Sequence, residues 1–252
     1  IRNFADRIGV AKRENTVDLS LLEFFVREDL NKTAHRVMGV IDPVKLVITN
    51  YPEGQVEQMI VDNNPEDDAA GSREIPFSRE LYIERADFME DPPRKFFRLG
   101  PGRNVRLKGA YILHCEGFEK NEAGEVTEIH CTYYPDSRSG SDTSGVKAKG
   151  TLHWVSIEHA KSAEVRLYST LFTEPEPLSD PDKDFMELLN PDSLKVIENA
   201  YIEPCLLNAK PGDRFQFMRK GYFTVDEDST AEKPVFNLTT TLKDTWAKQK
   251  KK

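Results

Sequence analysis

Residues 109–134, GAYILHCEGFEKNEAGEVTEIHCTYY, decide the fold class: two runs rich in Ile, Val, Thr, Phe and Tyr flank the turn formed by Asn121, Glu122, Ala123 and Gly124. This pattern predicts a long antiparallel hairpin, because β-branched and aromatic side chains suit a pleated, half-buried surface and Asn and Gly suit the turn. The same texture extends in both directions. RVMGVI (36–41), KLVITNY (45–51), VEQMIV (56–61) and ELYIER (80–85) precede the hairpin, divided by Asp42-Pro43, Pro52-Glu53-Gly54 and the polar loop Asn63 to Ser72. GTLHWVS (150–156), EVRLYSTLF (164–172), KVIENAYIEP (195–204), RFQFMRKGYFTVD (214–226) and PVFNLTTTL (234–242) follow it. Many short strands at regular spacing predict barrels or a sandwich, and 252 residues suffice for two such cores.

Helices belong to the beginning of the chain. Ile1, Phe4 and Ile8 trace one face of an amphipathic helix, and TVDLSLLEFFVREDLN (16–31) reads as a second, with Leu22, Phe25, Val26 and Leu30 as its apolar stripe. Ser20 with Glu23 fits a capping box, and Asp18 competes for the N-cap. A chain that starts at Ile1 inside a helical pattern is expected to be a piece of a longer protein. A Pro- and Asp-rich link from Thr173 to Pro181, a short helix near Asp184 to Leu189, a flexible loop from Asp136 to Ser144 and a frayed tail, WAKQKKK (246–252), complete the expected layout.

Apolar residues make up 38% of the chain and the net charge is −8, which describes a folded protein that does not adhere to polyanions indiscriminately. Contact with nucleic acid must then come through a local patch. Three scattered cysteines, Cys115, Cys131 and Cys205, point to a reducing cytoplasm, and no signal peptide or membrane span is visible. The patch is RKFFRLGPGRNVRLK (94–108), where Arg94, Lys95, Arg98, Arg103, Arg106 and Lys108 occur without one acid. Alternation in its second half puts Asn104, Arg106 and Lys108 on one face of a strand and Val105 and Leu107 on the other. Guanidinium groups fixed on a strand can make paired hydrogen bonds to a base edge or a phosphate. A solvated charged face is the competing reading.

Enzymatic signatures are missing. GxxxxGK[ST], GxGxxG and HExxH do not occur, and His153, Ser156 and His159 lack the context of a hydrolytic triad. His114-Cys115 and His130-Cys131 would face each other across the hairpin, but neighbours on a strand point oppositely, so each pair offers one ligand where structural zinc takes four in all. In RFQFMRKGYF (214–223), Phe215, Phe217, Tyr222 and Phe223 read as core, while Gln216, flanked by Arg214, Arg219 and Lys220, fits a group that meets an unstacked base.

GSREIPFSRELYIERADF (71–88), GTLHWVS, EVRLYSTLF, NPDSL (190–194), FQFMRKGYF (215–223) and STAEKPVFNLTTTLKDTWAK (229–248) together resemble the C-terminal half of glutaminyl-tRNA synthetases, in order along nearly the whole chain. The resemblance implies a mainly β chain: two six-stranded β-barrels related to a ribosomal-protein fold, the distal barrel inserted into the proximal one, behind a short α-helical subdomain. The expected segments are 1–34 for the helical end, 35–92 plus 200–248 for the proximal barrel and 93–199 for the distal barrel. It further implies that the chain binds the anticodon loop of glutamine tRNA as a monomer in the cytoplasm, with no DNA or membrane partner. Chemistry is expected in an absent class I catalytic half, which would use ATP and magnesium, and no cofactor or metal in this part.

By resemblance, Arg36 and Gln216 match residues that recognise the central anticodon uridine, Arg98 the contact to the third base and Arg106 the contact at or near the first. Lys108 stands where the best-known bacterial members carry an arginine. It keeps the charge without the two-pronged geometry. Arg94, Lys95 and Arg103 are expected as further RNA contacts, and Lys95 and Phe97 depart from the glutamine and lysine of the family pattern. Competing readings are a barrel-type glutamyl-tRNA synthetase, a free-standing ribosomal-RNA-binding protein of the same fold, and an all-β interaction domain.

Overall fold

The computed structural model describes residues 1–13, 16–174, 177 and 184–243. Two helices lead the chain: α1 (Arg2–Ile8) and α2 (Leu19–Thr33). Asp18 is the N-cap of α2, its carboxylate accepting from the Ser20 N–H at 2.8 Å, so the shorter acid side chain prevails over the Ser20–Glu23 capping box. Leu21 and Leu30 are the buried apolar residues of α2, and Leu30 packs with Ala34 and Tyr222. Leu22, Phe25 and Val26 of the expected stripe are only half-buried.

Among the described residues sixteen strands follow. They are β1 (His35–Val37), β2 (Gly39–Val40), β3 (Pro43–Ile48), β4 (Glu57–Asp62), β5 (Ser72–Phe77), β6 (Glu80–Glu84), β7 (Asn104–Leu107) and β8 (Ile112–Lys120). Then come β9 (Val126–Tyr133), β10 (Thr151–Leu152), β11 (Val155–Ser156), β12 (Lys161–Tyr168), β13 (Leu194–Ile202), β14 (Arg214–Phe217), β15 (Gly221–Val225) and β16 (Val235–Thr241). The hairpin that decides the fold class is β8–β9, with Cys115 directly opposite Cys131. Strand β5 falls in a stretch the sequence leaves without a strand, because Pro76 lies inside it. Among the described residues it pairs with β4 alone, in a two-stranded ribbon where a proline costs no ladder bond on its free side.

The remaining strands form two barrel-like sheets in the orders β1-β14-β15-β16-β12-β13-β2 and β10-β7-β8-β9-β3-β6-β11. The two ends of each row are nearly consecutive in sequence. Only Met38 separates β1 from β2, and only His153 and Trp154 separate β10 from β11. Each sheet therefore curls until its ends meet as two halves of one interrupted strand, and counting that strand once gives six per barrel. Both rows share one pattern of pairings: parallel, antiparallel, antiparallel, parallel, antiparallel, antiparallel. The barrels are thus circular permutations of one another, with the interrupted strand first in one and last in the other.

One barrel is inserted in the other, and the sheets divide the chain at other places than the expected segments. β3 and β6, expected in the proximal barrel, pair with β9 and β11, while β12 and most of β13, expected in the distal barrel, pair with β16 and β2. The inserted barrel runs from Pro43 to Ser156 and the outer one comprises β1, β2 and the strands from Lys161 to Thr241. Alternation and turn residues mark where strands lie without specifying their neighbours, and the crossing occurs at Asp42-Pro43. Past it, Val44, Leu46 and Ile48 join the core of Leu113, Ile129 and Trp154, whereas Val37 joins that of Val165, Phe217 and Phe236. The short helix expected near Asp184 is a 3-10 turn, Phe185–Leu188. The tail from 246 lies outside the described residues. Among those described, no helix is long and apolar enough to cross a membrane.

Candidate nucleic-acid interface

The seam between the barrels brings three of the predicted residues, Arg36, Lys108 and Gln216, into one cleft. Arg36 lies on β1 in register with Gln216 on β14, across a parallel pairing that the Arg36 N–H extends to the Asn63 carbonyl at 2.6 Å. Both side chains line a cleft of about 510 Å³ at the seam between the barrels, together with Asn31 of α2, Lys108 at the end of β7, and Arg219. Arg36 is 6% exposed. Its guanidinium donates to the Ala34 carbonyl and to Asn31 Oδ1, both at 2.9 Å, and lies 3.8 Å from Glu66. A cation held on several sides presents a fixed donor array instead of a mobile charge.

Asn31 is the member of this cleft that the sequence reading missed. Its Oδ1 also accepts from the Tyr222 hydroxyl at 3.1 Å, so one amide in the last turn of α2 positions both Arg36 and the aromatic beside Gln216. Only the polar break in the stripe of α2 hints at this in the sequence. Lys108 is exposed at the mouth of the cleft, and its carbonyl accepts from the Trp154 indole N–H at 3.0 Å.

A second, smaller groove of about 300 Å³ holds Arg94, Arg98 and Arg103 with Phe96 and Phe97. Arg98 donates to the Ala86 carbonyl at 2.9 Å, approaches Asp87 at 3.4 Å and lies 5.7 Å from the centre of the Phe96 ring. Arg103 is taken up internally, bonding the carbonyls of Phe96, Pro92 and Pro93, so it shapes the wall of the groove. Lys95 is exposed at the rim, while Lys147 and Lys149, which the sequence reading did not single out, line the groove directly.

Arg106 stands in neither depression. The expected alternation holds, with Val105 and Leu107 buried and Arg106 half-buried, but its guanidinium ties down the loop expected to be flexible: it bonds the Ser137 carbonyl at 2.7 Å, Ser139 Oγ at 3.3 Å and the Asp142 carboxylate.

Between cleft and groove runs a buried polar seam. Asp87, 4% exposed, receives both arms of Arg219 from the β14–β15 turn and the Nε of Arg98 from the other side. Arg219 adopts a left-handed backbone, φ 66°, an uncommon conformation for a residue with a side chain. Next to it Glu84 accepts from the Ile41 N–H at 2.7 Å and Lys220 at 2.9 Å, with His153 Nε2 at 3.5 Å. Burial pushes the Glu84 carboxyl up, but His153, the Lys220 charge and the Ile41 N–H outweigh it and hold it at about 2. The two barrels are fastened by charge at the point where both depressions open.

The His–Cys pairs of the β8–β9 hairpin do not converge: His114 bonds Asn104 and His130 bonds Glu128. Among the described residues no group of three or more His, Cys, Asp or Glu is placed to hold a metal.

Two family models match, both described as tRNA synthetases class I (E and Q), anti-codon binding domain, one over residues 34–134 and the other over 151–226. Among curated proteins, a glutamine–tRNA ligase of Rhodopirellula baltica is 54% identical over 249 residues, covering 98% of this chain and 41% of that protein. Proteins of the same name from Bradyrhizobium diazoefficiens and Clostridium perfringens are 50% and 52% identical, covering 99% and 96% of this chain and 44% of each relative. The chain spans about two fifths of the length of these relatives. With matching models over most of both barrels, the chain belongs to the anticodon-binding domain family of the class I (E and Q) tRNA synthetases.

Proposed function

We propose that this chain is the anticodon-reading part of a glutamine–tRNA ligase and that its ligand is the unpaired anticodon loop of glutamine tRNA. The observation that carries the reading is the pairing of Arg36 with Gln216 in one cleft: a fixed guanidinium and a neutral amide side by side offer directional donors and an acceptor to one splayed base. Arg98 and Lys108, with the exposed Arg94 and Lys95, supply the cationic surroundings that loop phosphates require, while Arg103 and Arg106 hold the loops beside them, in a chain whose net charge of −8 disfavours binding elsewhere. ATP and magnesium belong to the catalytic part of such a ligase, and this part contributes recognition alone. It acts as a monomer in the cytoplasm, with no DNA or membrane partner.

The test is competition between glutamine-tRNA and glutamate-tRNA anticodon stem-loops for this chain. Preference for the glutamine loop supports the assignment. Preference for the glutamate loop transfers the chain to the other specificity of its family, and absence of binding to both overturns the reading.

A further inference from the structure

We propose that Cys115 and Cys131 are a redox modification site in the inserted barrel, where hydrogen peroxide oxidises the two thiols to a reversible cross-strand disulfide that clamps β8 to β9. Neither cysteine lines the Arg36–Gln216 cleft or the second groove, so the site is independent of the anticodon reading.

The backbone hydrogen bonds fix the geometry of the pair. Cys115 and Cys131 stand in register on antiparallel strands. Opposite residues on such strands alternate between pairs that exchange hydrogen bonds and pairs that do not, and the second kind is closer, with Cα atoms about 4.5 Å apart. Cys115 donates its N–H to the Arg103 carbonyl at 3.0 Å, and its own carbonyl accepts from the Gly102 N–H at 2.9 Å, so both groups are spent on the segment leading into β7. The Cys131 carbonyl likewise turns away from β8, accepting from the Thr49 N–H at 2.8 Å. The pair is therefore of the closer kind. Its spacing falls within the roughly 4.4–6.8 Å that a disulfide spans between Cα atoms, so the bond closes with little backbone movement.

Both side chains belong to the core of the inserted barrel and are fully buried. A hydrogen bond from the Cys131 thiol holds the Cys115 thiol below its usual range against the effect of burial, while burial pushes the Cys131 thiol well above it. Cys115 is thus the sulfur that attacks, since the thiolate is the nucleophile. The ladder breaks beside it, where the register shifts before Gly117, and a Cβ added at Gly117 would meet nothing within 4 Å. This open bulge admits an oxidant of nearly the size of water and hinders a bulky one.

The oxidation balances in two steps. The Cys115 thiolate attacks one peroxide oxygen; an S–O bond forms as the O–O bond breaks, and the departing hydroxide takes up the proton that Cys115 released, leaving a sulfenic acid and water. The Cys131 sulfur then attacks the Cys115 sulfur; the S–S bond forms as the S–O bond breaks, and the hydroxide leaves with the Cys131 proton as a second water. Two thiols lose two electrons and one peroxide gains them.

The experiment treats the folded chain carrying C205S with graded hydrogen peroxide, so that the pair holds the only thiols. The intact mass is expected to fall by two hydrogens and to return with dithiothreitol, and trypsin, which cuts at Lys120 between the two cysteines, should leave their peptides joined. With C131S added, the reaction should stop at a sulfenic acid on Cys115 that dimedone traps; with C115S added instead, labelling of Cys131 should be far slower. Amide hydrogen exchange across β8 and β9 should slow in the oxidised chain, because a cross-link opposes local opening of the hairpin. Addition of oxygen without a cross-link, or oxidation only after denaturation, overturns the disulfide. A cross-link that leaves exchange of the hairpin unchanged overturns the clamp.

Discussion

Arg36 and Gln216, separated by most of the chain, lie directly opposite one another on β1 and β14 at the point where the outer barrel closes. Closure is what creates the pair: β1 reaches β14 only because the sheet has curled through all its other strands. On the proposed reading the two side chains meet one base and act as a unit, so their losses should not add. Q216A should cost about 1–3 kcal/mol of discrimination at the central base with little loss of stability. R36A should cost a similar amount and also destabilise the fold, since Ala34 and Asn31 lose their donor. The double variant should lose less than the sum, as read by a double-mutant cycle on stem-loop binding.

Asp87 connects the two depressions. Replacing it with alanine leaves Arg219 and Arg98 without their shared acceptor, and the left-handed turn of Arg219 is then held against the inserted barrel only by the longer contact to His153 Nδ1, at 3.4 Å. D87A is expected to destabilise the protein by about 2 kcal/mol in urea unfolding, less than a fully buried pair because both arginines are partly exposed. It should also weaken stem-loop binding and blunt the proposed discrimination at the central base, whereas R98A should weaken binding and leave that discrimination intact.

The seam should respond to acid. Glu84 has its folded-state carboxyl depressed from 4.5 to about 2, so its stabilisation is fully present above about pH 5 and is lost as pH falls towards 2. A shift of that size corresponds to about 3 kcal/mol. Wild type should therefore lose stability across this window more steeply than E84Q, which is already weaker at neutral pH. Chemical denaturation midpoints at a series of pH values measure the difference, and parallel curves for the two proteins would show that Glu84 does not couple to folding.

Gly150 is required for close approach, not for turn geometry. G150A must push apart the 147–150 segment and the Phe97 carbonyl, at an expected cost of about 1–3 kcal/mol in stability. Because the same displacement opens the second groove, stem-loop affinity should fall too.

Arg106 holds the 137–142 loop by one carbonyl, one hydroxyl and one carboxylate. R106A should leave β7 in place and expose that loop, so limited proteolysis should cut between Ser137 and Ser144 faster than in wild type.

The sequence made strands legible wherever alternation was clean, as in β7, where Val105 and Leu107 turn inward and Arg106 outward. It concealed β5, whose Pro76 argues against a strand until the free edge of a two-stranded ribbon is known. Barrel membership was illegible because it depends on which neighbours β3 and β12 choose, a long-range decision with no local mark. The site was half visible. Charge density drew attention to residues 94–108, and the amide among aromatics to Gln216, but nothing local distinguishes Arg103, turned to carbonyls, from Arg98, poised at Asp87. Asn31, Lys147 and Lys149 enter only because folding carries them to the seam and the groove.

The most direct test measures binding of the chain to the glutamine-tRNA anticodon stem-loop and to the same loop with its central uridine replaced, for wild type and Q216A, at two salt concentrations. Recognition through the Arg36–Gln216 cleft requires wild type to prefer the uridine loop by about tenfold or more at both salts, and Q216A to bind the two loops nearly alike. Equal, steeply salt-dependent binding of both loops by the wild-type chain would contradict it, reducing the interface to a grip on phosphate.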